Sequence, residues 1–492
     1  MTNSRKLFPA LCGAACVATL SVRAPAQGGA AKAPPATRRP PPTAQASAPG
    51  AQASRQAPIF EVDPMWPKPM PNHWLLGSAV GLAVDAKDHV FVVNLTDSFT
   101  ERTETGADQT PPIGECCFRA PNVLEFDPQG KLVGHWGPQG RPQAPGEGFT
   151  WPTQNHGLAI DAQGNVWIGG SGGTDAQLLK FTRDGRFIAA FGKPGALPSA
   201  ATGTPAAPAA AAPAAPADTT GAGRAGARGG ARGGDTAAAG AAGARGFAVV
   251  GRGGGGRGRG RGGAGPSLPP NSGSTESFGA PARIAFDESA NEGFVADGFR
   301  NRRVAVIDLA SGAVKRFWGA YGNRPDDAPL PAYNPEATAA QQFGNAVRCA
   351  ELSKDGMVYV CDALNDRIQV FRKDGAFVKE QRIAPATRGE GSVWGIAFSR
   401  DAQQKYLYVA DGSNMKVHVL DRQSLEELTS FGDGGKQPGQ FIGVHSIAVD
   451  SKGNVYTAES NEGKRVQKFV FKGVGPVTKP NAGVLWPKRT GR

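Results

Sequence analysis

Two of the six histidines in this 492-residue chain stand at comparable places. His156 lies in WPTQNHGLAID and His445 in FIGVHSIAVD, each directly before a short apolar segment that ends in an aspartate. Imidazole can act as a metal ligand, a proton carrier or a buried hydrogen-bonding group. Arg348, in FGNAVRCAEL, precedes a similar segment, and so does Trp394, before GIAFS. A guanidinium holds a carboxylate or phosphate with two parallel hydrogen bonds. Phe299 and Arg300 follow VADG, with Arg302 close behind, and Asn155 and Asn345 offer amides nearby. Cation, imidazole, amide and aromatic wall together suit a small anionic or peptide-like ligand better than a large polymer. No Walker A segment or H-E-x-x-H pair occurs in the chain. The glycine-rich GGSGGTDAQ run at Gly169 leads into a strand, not a helix, so it is no phosphate loop. His73, His89, His135 and His418 fall in an N-terminal arm or in other strands, where a structural or solvated role is expected.

These residues need a scaffold, and the repeats supply it. Six segments share an apolar strand, a polar turn and a second apolar strand: GLAVDAKDHVFVVN, GLAIDAQGNVWIGG, RIAFDESANEGFVADG, CAELSKDGMVYVCDA, GIAFSRDAQQKYLYVADG and SIAVDSKGNVYTAES. A third strand follows each one, as VLEFD, LLKFT, VAVID, IQVFR, VHVLD and VQKFV. Five units continue into a fourth: LVGHWG, FIAAFG, VKRFWG, FVKEQRI and ELTSFG. The fifth residues of the openings, Asp85, Asp161, Asp287, Ser353, Ser399 and Asp450, are 76, 126, 66, 46 and 51 apart. Insertions at 96–120, 194–277 and 323–344 account for the long gaps. A four-stranded unit of roughly 40–50 residues repeated six times predicts an all-β, six-bladed β-propeller over 58–480. The sixth unit lacks a fourth strand, and residues 58–62, PIFEV, are expected to supply it and close the ring. In such a ring the starts of the inner strands converge on the axis, which brings His156, His445, Arg348 and Trp394 to one channel mouth.

Charge and composition narrow the setting. The net charge is +12, but residues 1–57 hold seven basic and no acidic residues, and 194–277 hold eight arginines against three acids. The propeller itself is therefore close to neutral, and no specific nucleic-acid partner is expected. Arg5 and Lys6, the apolar run 7–22 and Ala24-Pro25-Ala26 have the layout of a signal peptide over 1–26. Residues 27–57 read as a disordered Ala/Pro-rich linker, 194–277 as a disordered Ala/Pro/Gly/Arg insertion, and 481–492 as a tail. A secreted or periplasmic protein without a membrane span is expected. The insertion 96–120, with Glu101, Arg102, Glu104, Glu115 and Arg119, is expected to fold over one face as a lid.

Four cysteines lie beyond the signal. Pairing Leu352 with Val358 in CAELSKDGMVYVC sets Cys349 opposite Cys361, as a cross-strand disulfide or two packed thiols. Cys116 and Cys117 either bond to each other or stay free.

ADGFRNRRVAV, CDALNDRIQVF and ADGSNMKVHVL resemble the D-x-x-N-x-R-hydrophobic signature of NHL-repeat propellers. Outside the insertions the chain is similar, over about 58–475, to peptidyl-α-hydroxyglycine α-amidating lyase and its secreted bacterial relatives. That resemblance implies zinc on three histidines at inner-strand starts, beside two arginines and a tyrosine. By the motifs, His156 and His445 match two zinc ligands and the third falls on Arg348. The tyrosine falls on Phe299, one arginine on Ala363 and the other near Asn94-Leu95. A guanidinium repels a metal ion, phenylalanine has no phenolic proton, and alanine offers no charge. Three readings follow: a lyase-like propeller with its catalytic set replaced, binding an anionic or peptide-like ligand; a metal-dependent carbon–nitrogen lyase with a rearranged site, zinc resting on His156 and His445; or a protein-interaction propeller. The D-x-x-N-x-R residues themselves are expected to hold turns and blade contacts.

Overall fold

Local chemistry sets each hairpin. Asp85, Asp161 and Asp450 each accept backbone N–H bonds from residues two and four further on, which closes the turn between first and second strands. Where Ser353 and Ser399 replace aspartate, the hydroxyl accepts from Met357 N and Tyr406 N at 3.0 Å instead. The computed structural model describes residues 55–138, 149–194 and 267–487. The expected signal peptide 1–26, linker residues 27–54, insertion residues 195–266 and tail residues 488–492 lie outside them.

Six four-stranded antiparallel sheets form the fold. From the axis outward, blade one is Ser78–Val84, Val90–Leu95, Val123–Phe126 and Leu132–Trp136. Blade two is Asn155–Ile160, Val166–Gly170, Leu178–Phe181 and Phe187–Phe191. Blade three is Pro281–Asp287, Glu292–Asp297, Arg303–Asp308 and Val314–Trp318. Blade four is Val347–Leu352, Met357–Asp362, Arg367–Arg372 and Phe377–Arg382. Blade five is Gly395–Phe398, Tyr406–Asp411, Lys416–Asp421 and Glu427–Phe431. Blade six is Val444–Val449, Val455–Glu459 and Arg465–Pro476, completed by Gln56–Asp63.

Strand side chains alternate faces, and each blade is sandwiched between two others, so both faces must be apolar. Six buried clusters result, one between each pair of neighbouring blades, including blade six with blade one. The closing strand pairs antiparallel with Arg465–Pro476, Glu61 opposite Val470 and Val62 opposite Phe469. Phe60 packs against Tyr408, Phe431 and Phe471 with ring centroids 5.6–5.9 Å apart. Residues 481–487, expected as part of a tail, instead lock the same seam: Val62 N donates to Leu485 O at 2.7 Å, and Ala482 N to Ser430 O at 2.7 Å.

The D-x-x-N-x-R residues hold blade contacts. Asp297 accepts from Arg303 Nε at 2.8 Å and from Gly279 N at 2.6 Å. Asp362 does the same with Arg367 Nε at 2.7 Å and Gly344 N at 2.8 Å. Each buried pair ties the loop between second and third strands to the segment that enters its own blade. In blade three the clamp also holds part of the expected insertion: Arg303 donates to the carbonyls of Ser272, Ser274 and Ser277. The insertion's edge is corrected accordingly, since 267–277 packs on the propeller. In blade five His418 bridges Asp411 and Glu427, at 3.0 and 2.9 Å. Despite burial, these carboxylates push its pKa up to about 9.

The Cys349–Cys361 disulfide is present, in the expected register with Leu352 opposite Val358. Cys116 and Cys117 are bonded to each other. The insertion 96–120 is ordered: Glu104 caps its own turn at Glu101 N, 3.1 Å, and pairs with Lys464 of blade six at 2.6 Å. By the up-and-down order of the strands it lies on the face where inner strands begin.

Two outcomes test this account. Phe60→Ala should lower unfolding free energy by about 3–5 kcal/mol in denaturant titration, and an unchanged midpoint would contradict a closing role for this strand. The raised His418 pKa means that its contribution is complete below about pH 6.5 and lost as pH rises towards 9. That loss is on the order of 3 kcal/mol. His418→Gln should flatten the stability curve across that window.

Candidate functional site at the channel mouth

Inner-strand irregularities aim the candidate residues. In blades one, three, four and six the ladder skips Val80, Ala282, Arg348 and His445. In blade two the irregularity falls beside His156, at Gly157, and in blade five Trp394 precedes the strand. Counted back five from the opening-motif Asp or Ser, these positions coincide: Val80, His156, Ala282, Arg348, Trp394 and His445. A bulge re-aims its side chain, and the six equivalent positions, four of them bulged, build a ring around the axis. Gly157 has φ +61°, and a Cβ there would come within 1.8 Å of Ala282 O, so only glycine allows this approach of blades two and three.

His156 and His445 meet across the axis, Nε2 to Nε2 at 3.1 Å. Burial first, then the positive charges of Arg348 and Arg283, push the His156 pKa down to about 3. Burial likewise holds His445 well below the ordinary value, so both rings are neutral at physiological pH. His156 Nδ1 faces the carbonyl of Ala282 at 3.2 Å, and a carbonyl only accepts. The hydrogen of His156 is therefore on Nδ1, leaving Nε2 a bare acceptor. His445 satisfies it by carrying its own hydrogen on Nε2, while its Nδ1, 3.1 Å from the Ser446 hydroxyl, competes for that group's one hydrogen with Val80 O at 3.2 Å.

That arrangement leaves Arg348 under-satisfied. Its Nη1 is 3.5 Å from His445 Nε2, a nitrogen already bearing a hydrogen. Its Nε is buried without a hydrogen-bond partner. Nη2 pairs with Glu390 at 2.9 Å, and the guanidinium stacks on Trp394 with its carbon 4.3 Å from the ring centroid. Phe299 closes the opposite wall, its ring 4.6 Å edge-on from His156.

His156, Phe299, Arg348, Trp394 and His445 thus come together, and Asn155, Arg300 and Arg302 do not. Asn155 turns its amide to Asn94 O at 3.1 Å and accepts from Asn122, joining blades one and two. Arg300 donates to the carbonyls of Gly172, Gly173, Asp175 and Phe278, stitching blade two to blade three away from the ring. Arg302 likewise holds Asn345 and the carbonyl of Ala328.

Below the ring is a feature the sequence reading missed. Ala83, Ala159, Ala285, Ala397 and Ala448 occupy the third position of the opening motifs, and blade four puts Glu351 there. Arg283, the first residue of its motif where others have Gly, Cys or Ser, reaches Glu351 at 2.7 Å. Burial raises the Glu351 pKa and Arg283 opposes it. Aligning the six motifs by column would have exposed both departures. Glu390, in a loop outside the repeat, carried no such signal.

The zinc implied by the lyase resemblance does not fit this donor set. Two imidazoles converge, but the third position carries a permanent cation directed at them. Among the described residues no group of three or more His, Cys, Asp or Glu side chains is arranged to hold a metal ion.

The blade pairing defines the class: a six-bladed β-propeller. No family model matches the chain, and no curated protein is similar to it. Solved structures similar in arrangement include a streptogramin B lyase, at 11% identity and TM-score 0.40, covering 84% of this chain and 98% of that one. A virginiamycin B lyase from Staphylococcus aureus has 12% identity and TM-score 0.40, covering 84% and 99%. A Bacteroides thetaiotaomicron protein of unknown function has 10% identity and TM-score 0.41, covering 86% and 77%. At these values the likenesses carry no argument about the site. Among the described residues no helix is long and apolar enough to cross a membrane.

One covalent feature here is directly measurable. The Cys349–Cys361 bond sits beside Arg348, and the peptide pair containing it should gain two hydrogens on reduction in mass spectrometry. An unchanged mass would remove the disulfide from the account.

Proposed function

We propose that this protein is an exported propeller related to the NHL-type amidating lyases that binds a small carboxylate-bearing ligand at its channel mouth, without their metal chemistry. The observation that carries the reading is the state of Arg348. Among the described residues, the buried arginines Arg300, Arg303 and Arg367 are held by backbone carbonyls; Arg348 touches only side chains. Its Nε, like those of Arg283 and Arg300, is buried without a hydrogen-bond partner, but unlike them it has no backbone carbonyl on its other nitrogens. A buried guanidinium with unmet donors calls for an anion. Half-buried Phe299 and Trp394, the latter buried against the guanidinium, make the surroundings of Arg348 apolar, and the neutral histidines add no competing charge. Two disulfides are in keeping with an oxidising compartment.

Binding to the folded form alone raises stability by about 1.4 kcal/mol at ten times Kd. Acetate or phenylacetate should therefore raise the melting temperature of the wild type above a chloride control at equal ionic strength. Arg348→Ala should abolish the difference. Equal shifts in the variant and the wild type would contradict the reading. About one zinc per purified chain, lost in a His156→Ala, His445→Ala double variant, would favour a metal site instead.

A further inference from the structure

A carboxylate that bridges the unmet Nε and the adjoining Nη2 of Arg348 finds Nη2 already taken by Glu390, at 2.9 Å. We propose that the Glu390 carboxylate is a built-in competitor, which a ligand must displace one for one. This inference rests on the carboxylate-binding reading above.

The pair is asymmetric. The Arg348 side chain is 9% exposed, and that of Glu390 is 44% exposed. If Glu390 leaves, its own charge returns to water at little cost. Arg348 would then be left buried and unpaired, which is strongly unfavourable. Departure of Glu390 is therefore coupled to arrival of another anion. The enclosed Arg283–Glu351 pair below has no such imbalance, both side chains being 18% exposed.

The backbone is built for this exchange. Glu390 sits between two glycines with positive φ, Gly389 at +75° and Gly391 at +72°. Gly391 is a fixed point. Its carbonyl accepts from Trp394 Nε1 at 2.8 Å and from Ser413 Oγ at 2.6 Å, and a Cβ there would fall 1.7 Å from Ala363 O. Gly389 is the opposite case, with nothing within 4 Å of an added Cβ. Glu390 thus hangs from an anchored residue on one side and an uncrowded one on the other. It can swing outward without disturbing Trp394, the stacking partner of Arg348. The ligand it makes way for presents a carboxylate to Arg348 and an apolar body to the apolar surroundings of that guanidinium.

Titration calorimetry of phenylacetate into the full chain tests this. Glu390→Gln removes the competing charge and should bind at least about tenfold more tightly than wild type. Glu390→Ala is the second variant: its melting temperature should fall without ligand and recover more on adding phenylacetate than the wild type gains. Equal or weaker affinity in both variants, with binding still lost in Arg348→Ala, would overturn the competitor role and leave the carboxylate site standing. No binding by the wild type or by either Glu390 variant would overturn both.

Discussion

A ring of blades closes only when its last sheet is completed by a strand from the other end of the repeat array. Here Gln56–Asp63 lies against Arg465–Pro476, and residues near Leu485 fasten the same seam from the other end. Every interblade core depends on that closure. Each blade is apolar on both faces, so an open ring would present two unpartnered faces to water. The buried Phe60, held among three aromatic rings, concentrates the seam's stabilisation at one side chain.

Closure also determines the chemistry at the centre. Six equivalent inner-strand positions are forced to one level around one axis, so residues from distant parts of the chain become neighbours. His156 and His445, 289 positions apart, meet at 3.1 Å. Burial keeps both neutral, and the hydrogen-bond direction imposed by Ala282 leaves no room for a strong bond from Arg348. The guanidinium is thereby left to Glu390 and the face of Trp394. Glu390 holds it from the loop above, while Arg283 and Glu351 neutralise each other below.

Much of this was legible in the sequence because blades are local. Strand, turn and strand recur within a few dozen residues, and the hairpin aspartates, the closing strand and the cysteine register all follow from short-range pattern. The inner-strand position of His156, Arg348, Trp394 and His445 was legible for the same reason. Loop-borne side chains were not. Arg300 is one residue from Phe299, yet it turns to carbonyls of blade two, because four acceptors converge there only after the blades pack. Asn155 neighbours His156, but alternation along the strand sends its amide to Asn94. Glu390 stands outside any repeat, and only the packed loop shows it covering Arg348.

The central claim is that Arg348 is an anion-binding group at the mouth of the channel. Crystals grown with bromoacetate would test it most directly through the anomalous signal of bromine. The account predicts that signal between Trp394 and Phe299, with the carboxylate on Arg348 and Glu390 turned outward. A mouth free of bromine at saturating ligand, with Glu390 still paired to Arg348, would contradict it.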